Sequence, residues 1–246
     1  MRLFRRLAGP AAGLAAGLSL PFALLTAAGA GDAGLLYEPP NLGQARAAVS
    51  EWVQSGAYDR AVAAAARTGL ETVQAAVAAR KPGDLRLAVV FDLDETALSN
   101  IVTVPDKGPS LTSGPCYLPA AQNNPCVWRE WQASANDRPI VPVRQIADFA
   151  RASDVAVFFI SGRPESLREK TEANLKAAGY TDYQGLTLVP DGRTFASAVD
   201  YKAPARAAIE AQGYVIVLSV GDQYSDLLGG HAANTVKLPN PFYFIP

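Results

Sequence analysis

The sequence predicts an α/β fold: a doubly wound, Rossmann-like parallel sheet with helices on both faces, preceded by a helical segment and carrying a small cap. Three observations predict it. From Leu85 onward, β-branched apolar runs alternate with stretches of helical period, as in strand–helix–strand units. The run Val89-Val90-Phe91 ends at once in Asp92-Leu93-Asp94-Glu95-Thr96, which sets two carboxylates at the carboxyl edge of a strand, where open α/β folds bind ligands. The segment from Leu98 to Pro139 breaks the alternation, is rich in Pro, Gly, Asn and Ser, and reads as an insertion over that edge after the strand that carries the aspartate pair.

The elements follow in order. Residues 1–30 read as a removable leader, with Arg2, Arg5 and Arg6 before an apolar Gly13–Ala27 stretch and a small-residue Ala28-Gly29-Ala30 site. Pro21 breaks that stretch and no stop-transfer flank follows, so export to the periplasm or outside is expected, without a stable membrane anchor. Residues 31–42 are a Gly/Pro linker and 43–84 an Ala-rich helical segment. Its apolar residues, Val49, Trp52, Val53, then Val62, Ala66, Leu70, Val73 and Val77, recur at helical spacing. Ser55-Gly56 divides it into a short and a long helix, and Lys81-Pro82-Gly83 ends it. The core then runs over 85–246, with the cap at about 98–140. Its strands are expected at Leu87–Phe91, Val155–Ile160, Leu186–Val189, Val215–Val220 and Thr235–Leu238. Helices are expected at Val143–Arg151, Pro164–Ala178 and Ala203–Gln212, with a short one near Tyr224–Leu228.

Charge and cysteine content narrow the function. The leader holds three of the 22 basic residues and none of the 23 acidic ones, so the remaining 216 residues carry a net charge of −4. That argues against a nucleic-acid polymer or an anionic membrane as the main partner. A small phosphate compound stays possible, because a bound metal offsets the overall sign locally. Cys116 and Cys126 share one loop and could form a local disulfide in an exported protein, contributing about 2–3 kcal/mol. With His231 the single histidine, a Cys/His zinc site is excluded.

Four clusters carry chemistry. Asp92 and Asp94 are too close to stay ionised together without a cation or a shared proton. The next strand ends in Ser161-Gly162-Arg163-Pro164, a hydroxyl and an amide before an expected helix with Pro at its first position, hence a phosphate or oxyanion cradle. Lys202, in Tyr201-Lys202-Ala203-Pro204 at an expected helix start, can pair with phosphate or with a carboxylate. The strand Val215–Val220 runs into Gly221-Asp222-Gln223-Tyr224-Ser225-Asp226, adding two carboxylates four residues apart. Each cluster alone could be a helix cap or an ordinary turn. Their consistent placement at strand ends and helix starts points to one shared site.

These words in this order resemble the haloacid dehalogenase (HAD) superfamily of phosphohydrolases. Phe91-Asp92-Leu93-Asp94-Glu95-Thr96, Leu98-Ser99-Asn100 and Gly221-Asp222-Gln223-Tyr224-Ser225-Asp226-Leu227-Leu228-Gly229 are similar to its subfamily IIIB acid phosphatases, a secreted group that includes plant acid phosphatases and vegetative storage proteins. Trp52–Tyr58 and Trp128–Trp131 resemble the same group, and the likeness covers roughly residues 37 to 240. The resemblance implies a HAD-like fold and a Mg²⁺-dependent hydrolysis of small phosphomonoesters. It makes Asp92 the nucleophile that forms an aspartyl-phosphate and Asp94 the general acid and base. It assigns Mg²⁺ to Asp92, the backbone carbonyl of Asp94 and Asp222, with Asp226 as a supporting or alternative ligand. Ser161, Gly162 and Lys202 would bind the phosphoryl oxygens, and Arg163 would contact substrate or orient the loop. Ser161 stands where many relatives have Thr and keeps the hydroxyl. An acid that must carry its proton at turnover favours mildly acidic activity.

Other phosphatase chemistries fail residue by residue. Neither Cys116 nor Cys126 has an arginine six positions on, a lone histidine cannot run histidine or binuclear-metal chemistry, and no Gly-x-Ser-x-Gly elbow occurs. A receiver domain would be shorter and lack both leader and cap. A non-catalytic binding or storage protein on the same fold, and a phosphotransferase, are the alternatives. The physiological substrate and the oligomeric state stay open.

Overall fold

A computed structural model describes residues 41–104, 108–111 and 128–246. Residues 1–40, where the leader and most of the linker are expected, and both cysteines lie outside the described residues.

The helical segment forms α1 (Leu42–Gln54) and α2 (Ala57–Ala79). Asn41 caps α1, its side-chain oxygen accepting from the amides of Gly43 at 2.9 Å and Gln44 at 3.2 Å. Gly56 turns the chain with a left-handed φ of 71°. Helix α2 buries Tyr58, Val62, Ala66, Gly69 and Val73, a stripe at spacings of three and four. Gly69 is needed there: an added Cβ would lie 3.0 Å from Ile146 and 3.2 Å from Leu218.

Five parallel strands make the sheet: β1 (Arg86–Phe91), β6 (Ala156–Pro164), β7 (Gly185–Val189), β8 (Tyr214–Gly221) and β9 (Thr235–Lys237), in the order β7-β6-β1-β8-β9. The chain leaves β1 for β6 on one side and later returns to β8 on the other. Its topological switch therefore falls beside β1, where such sheets open a crevice for ligands. Alternate residues face opposite layers. Val89 and Phe91 join Val157, Phe159, Leu218 and Val220 in the core under α2 and α4 (Val141–Ala152). Ala88 and Val90 join Phe158, Ile160 and Ile216 under Ile209 of α6 (Val199–Ala211). Each fully buried Val, Leu, Ile or Phe contributes about 1.5–3 kcal/mol, so both faces hold the sheet.

The insertion contains short pairs, β2 (Leu98–Ser99) with β5 (Arg138–Pro139) and β3 (Ile101–Val104) with β4 (Gly108–Leu111), and the helix α3 (Trp128–Ser134). These pieces are too short to impose a period of their own, so the sequence shows none.

Two expected helix starts differ from the structure. The residues Ser161 to Pro164 continue β6, with Pro164 paired to Val189, and after one 3₁₀ turn α5 (Arg168–Ala177) begins at Arg168. Proline biases its predecessor toward extended backbone and itself sits at φ −72°, ψ 153°, so the strand extends where a helix start was expected. Ser161 and Gly162 therefore lie on the extended end of β6 and not at a helix N-terminus. Helix α6 opens at Val199, four residues before the expected Ala203, which places Lys202 inside its first turns.

Candidate active site

Register builds the site. Phe91 pairs with Phe159 on one side and Val220 on the other, so the three apolar runs end within one residue of each other, at Phe91, Ile160 and Val220. The next residues, Asp92, Ile160-Ser161 and Gly221-Asp222, emerge side by side, and the Asp92 amide donates to the Val220 carbonyl at 2.9 Å. Helix α7 (Tyr224–Leu227) then folds back over β8. Gly221 permits this, because a Cβ there would stand 2.5 Å from the Cβ of Asp226.

On this rim Asp92, Asp222 and Asp226 converge. One carboxylate oxygen from each lies within 4.8 Å of the others, and all three residues are buried. Lys202, 3% exposed, donates to Asp92 and, at 2.6 Å, to Asp226. Burial pushes the Asp92 carboxyl well above its ordinary range, Lys202 pulls it back, and Asp226, Asp222 and Asp94 push it up again. Burial likewise raises Asp222, with Asp226 adding to it and the amides of Asn240 and Gln223 opposing. Burial works against the charge on Lys202, but Asp92 and Asp226 outweigh it and raise its pKa. Among the described residues, then, one ammonium bridges two of three gathered carboxylates. An all-oxygen, anion-rich cluster with a charge deficit of this kind fits a hard divalent cation.

Asp94 has a different set of partners. Arg163 grips it through Nη2 at 2.7 Å and Nε at 3.2 Å, Asn100 Nδ2 donates at 3.1 Å, and Gln132 Nε2 of α3 donates at 3.1 Å. The Arg163 side chain is fully buried, and Nη2 also donates to Asp137 at 2.7 Å. Burial opposes the guanidinium's charge, while Asp94 and Asp137 raise its pKa above the ordinary value. Burial lifts Asp137 from 3.8 to about 6 despite that partner. Next to Asp94 the backbone is strained: buried Glu95 holds φ at 55°, costing on the order of 1–3 kcal/mol. Asn100 fixes it, its backbone amide donating to Glu95 Oε1 at 2.6 Å and its side chain to Oε2 at 2.8 Å. Burial nevertheless moves Glu95 from 4.5 to about 8, with Asn100 pulling against it.

The remaining expected residues sit beside this pair. The Ser161 oxygen accepts from the Arg163 amide at 3.1 Å, which leaves its hydroxyl hydrogen to donate elsewhere. Gly162 is exposed, and a Cβ on it would lie 3.0 Å from the Tyr201 hydroxyl. The sequence leaves Arg163 two alternatives, contacting substrate or orienting the loop; the structure directs its guanidinium to Asp94 and Asp137.

Several site residues escaped the sequence reading. Gln132 and Asp137 come from the aperiodic insertion, which offers no register. Arg206, one turn after Lys202 on α6, ties down the end of α7 through the carbonyls of Asp226 at 2.5 Å, Leu228 and Gly230. Its i, i+4 spacing from Lys202 was the available signal. Asn240 donates to Asp222 at 2.5 Å; the Asn-Pro pair signals a turn but not its destination.

A parallel doubly wound sheet that gathers acidic residues on its carboxyl edge, beside a buried lysine and a serine loop, defines a HAD-like fold. The pattern of the family described as HAD superfamily, subfamily IIIB (acid phosphatase) matches residues 41–246, and the chain belongs to that family. Among curated proteins, the Stem 28 kDa glycoprotein of Glycine max is 37% identical over 161 residues, covering 63% of this chain and 59% of that protein. Vegetative storage protein 1 of Arabidopsis thaliana is 32% identical, covering 64% and 55%. Acid phosphatase 1 of Solanum lycopersicum is 31% identical, covering 63% and 58%. The chain thus matches less than two thirds of the length of each. The solved class C acid phosphatase from Bacillus anthracis, with tungstate bound, superposes with a TM-score of 0.60 at 20% identity, covering 82% of this chain and 85% of that one, a likeness of fold.

Proposed function

We propose that this protein is an exported acid phosphatase that hydrolyses small phosphomonoesters through an aspartyl-phosphate, with Mg²⁺ as its metal. The observation that carries the reading is the division of labour at the end of β1. Asp92 touches Lys202 in an anion-rich cluster, while Asp94, two residues on, is gripped by Arg163.

In this reading an Asp92 oxygen attacks phosphorus and the bond to the ester oxygen breaks. Asp94 gives its proton to the leaving alkoxide. A water then attacks the aspartyl-phosphate, Asp94 takes its proton, and inorganic phosphate and free Asp92 result. Lys202 and the donors of Ser161 and Gly162 bind the phosphoryl oxygens, where charge builds up in a partly dry site. Arg163, Asn100 and Gln132 hold Asp94 in line with the leaving group, so they act by positioning. Mg²⁺ would be held by Asp92, Asp222 and Asp226 with the Asp94 carbonyl, and when bound it offsets the repulsion between a phosphate dianion and the nucleophile.

Export is supported by the basic and apolar leader and by the small-residue site at Ala28–Ala30. No helix among the described residues is long and apolar enough to cross a membrane. Some relatives are named as storage proteins, but here Asp92, Asp94, Lys202 and Asp222 are all present. The test is Mg²⁺-dependent hydrolysis of p-nitrophenyl phosphate by wild type and Asp92→Asn. The variant should lose on the order of 10⁴-fold in kcat. Equal rates would remove the covalent mechanism.

A further inference from the structure

The last eight residues, Pro239 to Pro246, lie along the rim of the site and are tied to it at several points. Asn240 Nδ2 donates to Asp222 Oδ2 at 2.5 Å. The Tyr243 hydroxyl reaches the Asp94 carbonyl and Glu95 Oε2, each at 3.4 Å. The Ile245 amide donates to Gln223 Oε1 at 3.2 Å, and Ser225 Oγ donates to the Ile245 carbonyl at 2.7 Å. The Ala198 amide, at the start of α6, donates to the Pro246 carbonyl at 2.8 Å. Phe242 packs its ring on Tyr58, 5.3 Å between centroids.

From this arrangement we infer that Asn240 is a positioning residue for the metal, holding Asp222 at the angle at which it can ligate a divalent cation. The inference rests on the metal reading above. Asp222 is 1% exposed, and its carboxylate receives three neutral donors: Thr96 at 3.2 Å on Oδ1, and Gln223 at 2.7 Å and Asn240 on Oδ2. A carboxylate offers about four lone-pair directions, so three neutral donors fix the plane and leave one direction for a cation. Amide and hydroxyl donors also leave the charge in place, which an ammonium or guanidinium there would neutralise. Thr96 and Gln223 belong to the two acidic segments themselves. Asn240 comes from a separate segment, so it orients Asp222 against an independent anchor.

Asn240 has a second role that must be separated from the first. Its Oδ1 accepts from the Phe242 amide at 2.8 Å, an Asx turn that shapes the segment. Serine can keep such a turn but is too short to reach Asp222. Mg²⁺ binding to the purified, metal-free protein is measured by titration calorimetry for wild type, Asn240→Ser and Asn240→Ala, with metal-free melting temperatures read by circular dichroism. Loss of a group that orients a ligand typically weakens metal affinity by about 10–100-fold. Both variants should therefore bind Mg²⁺ at least about tenfold more weakly, and Asn240→Ser should stay folded, melting only modestly below wild type, because Asp222 keeps Thr96 and Gln223 as donors. The inference is overturned if Asn240→Ser binds like wild type, or if it loses its folded signal, since Asn240 would then serve the segment's shape alone. Wild type that binds no Mg²⁺ would overturn the metal reading, and this inference with it.

Discussion

Asp92 and Asp94 are separated by one residue and occupy opposite surroundings. Asp92 is crowded by Asp222 and Asp226 and relieved by Lys202. Asp94 receives Arg163, Asn100 and Gln132, with Asp137 behind the guanidinium. The first environment is short of positive charge and suits the part proposed for Asp92, a group that meets a cation and a phosphate. The second is rich in donors and fixes the direction in which a carboxyl points. The chain achieves this within three residues of the end of β1, where it leaves the strand for a turn that holds Glu95 at a left-handed φ of 55°.

The contrast can be broken from either side. The largest effect is expected from Lys202→Met, which leaves Asp92 and Asp226 buried without their ammonium. Removing one partner of a buried pair costs about 3–5 kcal/mol, so the metal-free variant should unfold at much lower urea than wild type. An unchanged midpoint would mean that Lys202 is not what balances the cluster. On the Asp94 side, Arg163→Lys keeps the charge but loses the two-point grip. Since small misplacements of a reacting group cost about 10²-fold, kcat should fall by that order with KM little changed. A rise in KM at constant kcat would instead make Arg163 a substrate contact.

The third test sharpens the comparison through pH. Asp137 is raised from 3.8 to about 6 in the folded state, so its protonated form is the one the fold prefers. Its contribution to stability is fully present below about pH 4 and is lost as pH rises through 6, a change on the order of 2 kcal/mol. Wild type should show a steeper decline than Asp137→Asn in urea unfolding measured from pH 4 to 7, the decline common to both belonging to the other raised carboxyls, Glu95 among them. Parallel profiles for the two proteins would show that Asp137 is not the group responsible.

What was legible in the sequence follows from how local each signal is. Polar–apolar alternation is absent in a parallel strand buried on both faces, yet the apolar runs ending at Phe91, Ile160 and Val220 located three adjacent strands, and their ends located Asp92, Ser161 and Asp222. The boundary of α5 was misplaced because Pro164 reads equally as a helix opener and as extended chain, and pairing with Val189 decides between them. Gln132, Asp137 and Asn240 were silent because their partners lie far along the chain: Gln132 is 38 residues from Asp94 and Asn240 is 18 from Asp222. Nothing in their immediate neighbours specifies those destinations.

The ring contact between Tyr58 and Phe242 joins the opening helices to the closing segment beyond the sheet. These two stretches act as a clasp. Shortening the protein at either side would strip an aromatic cover from the other, and the loosened edge would be the one that borders the acidic rim. Fusion partners and truncations designed for this family member should therefore be judged by metal retention as well as by solubility.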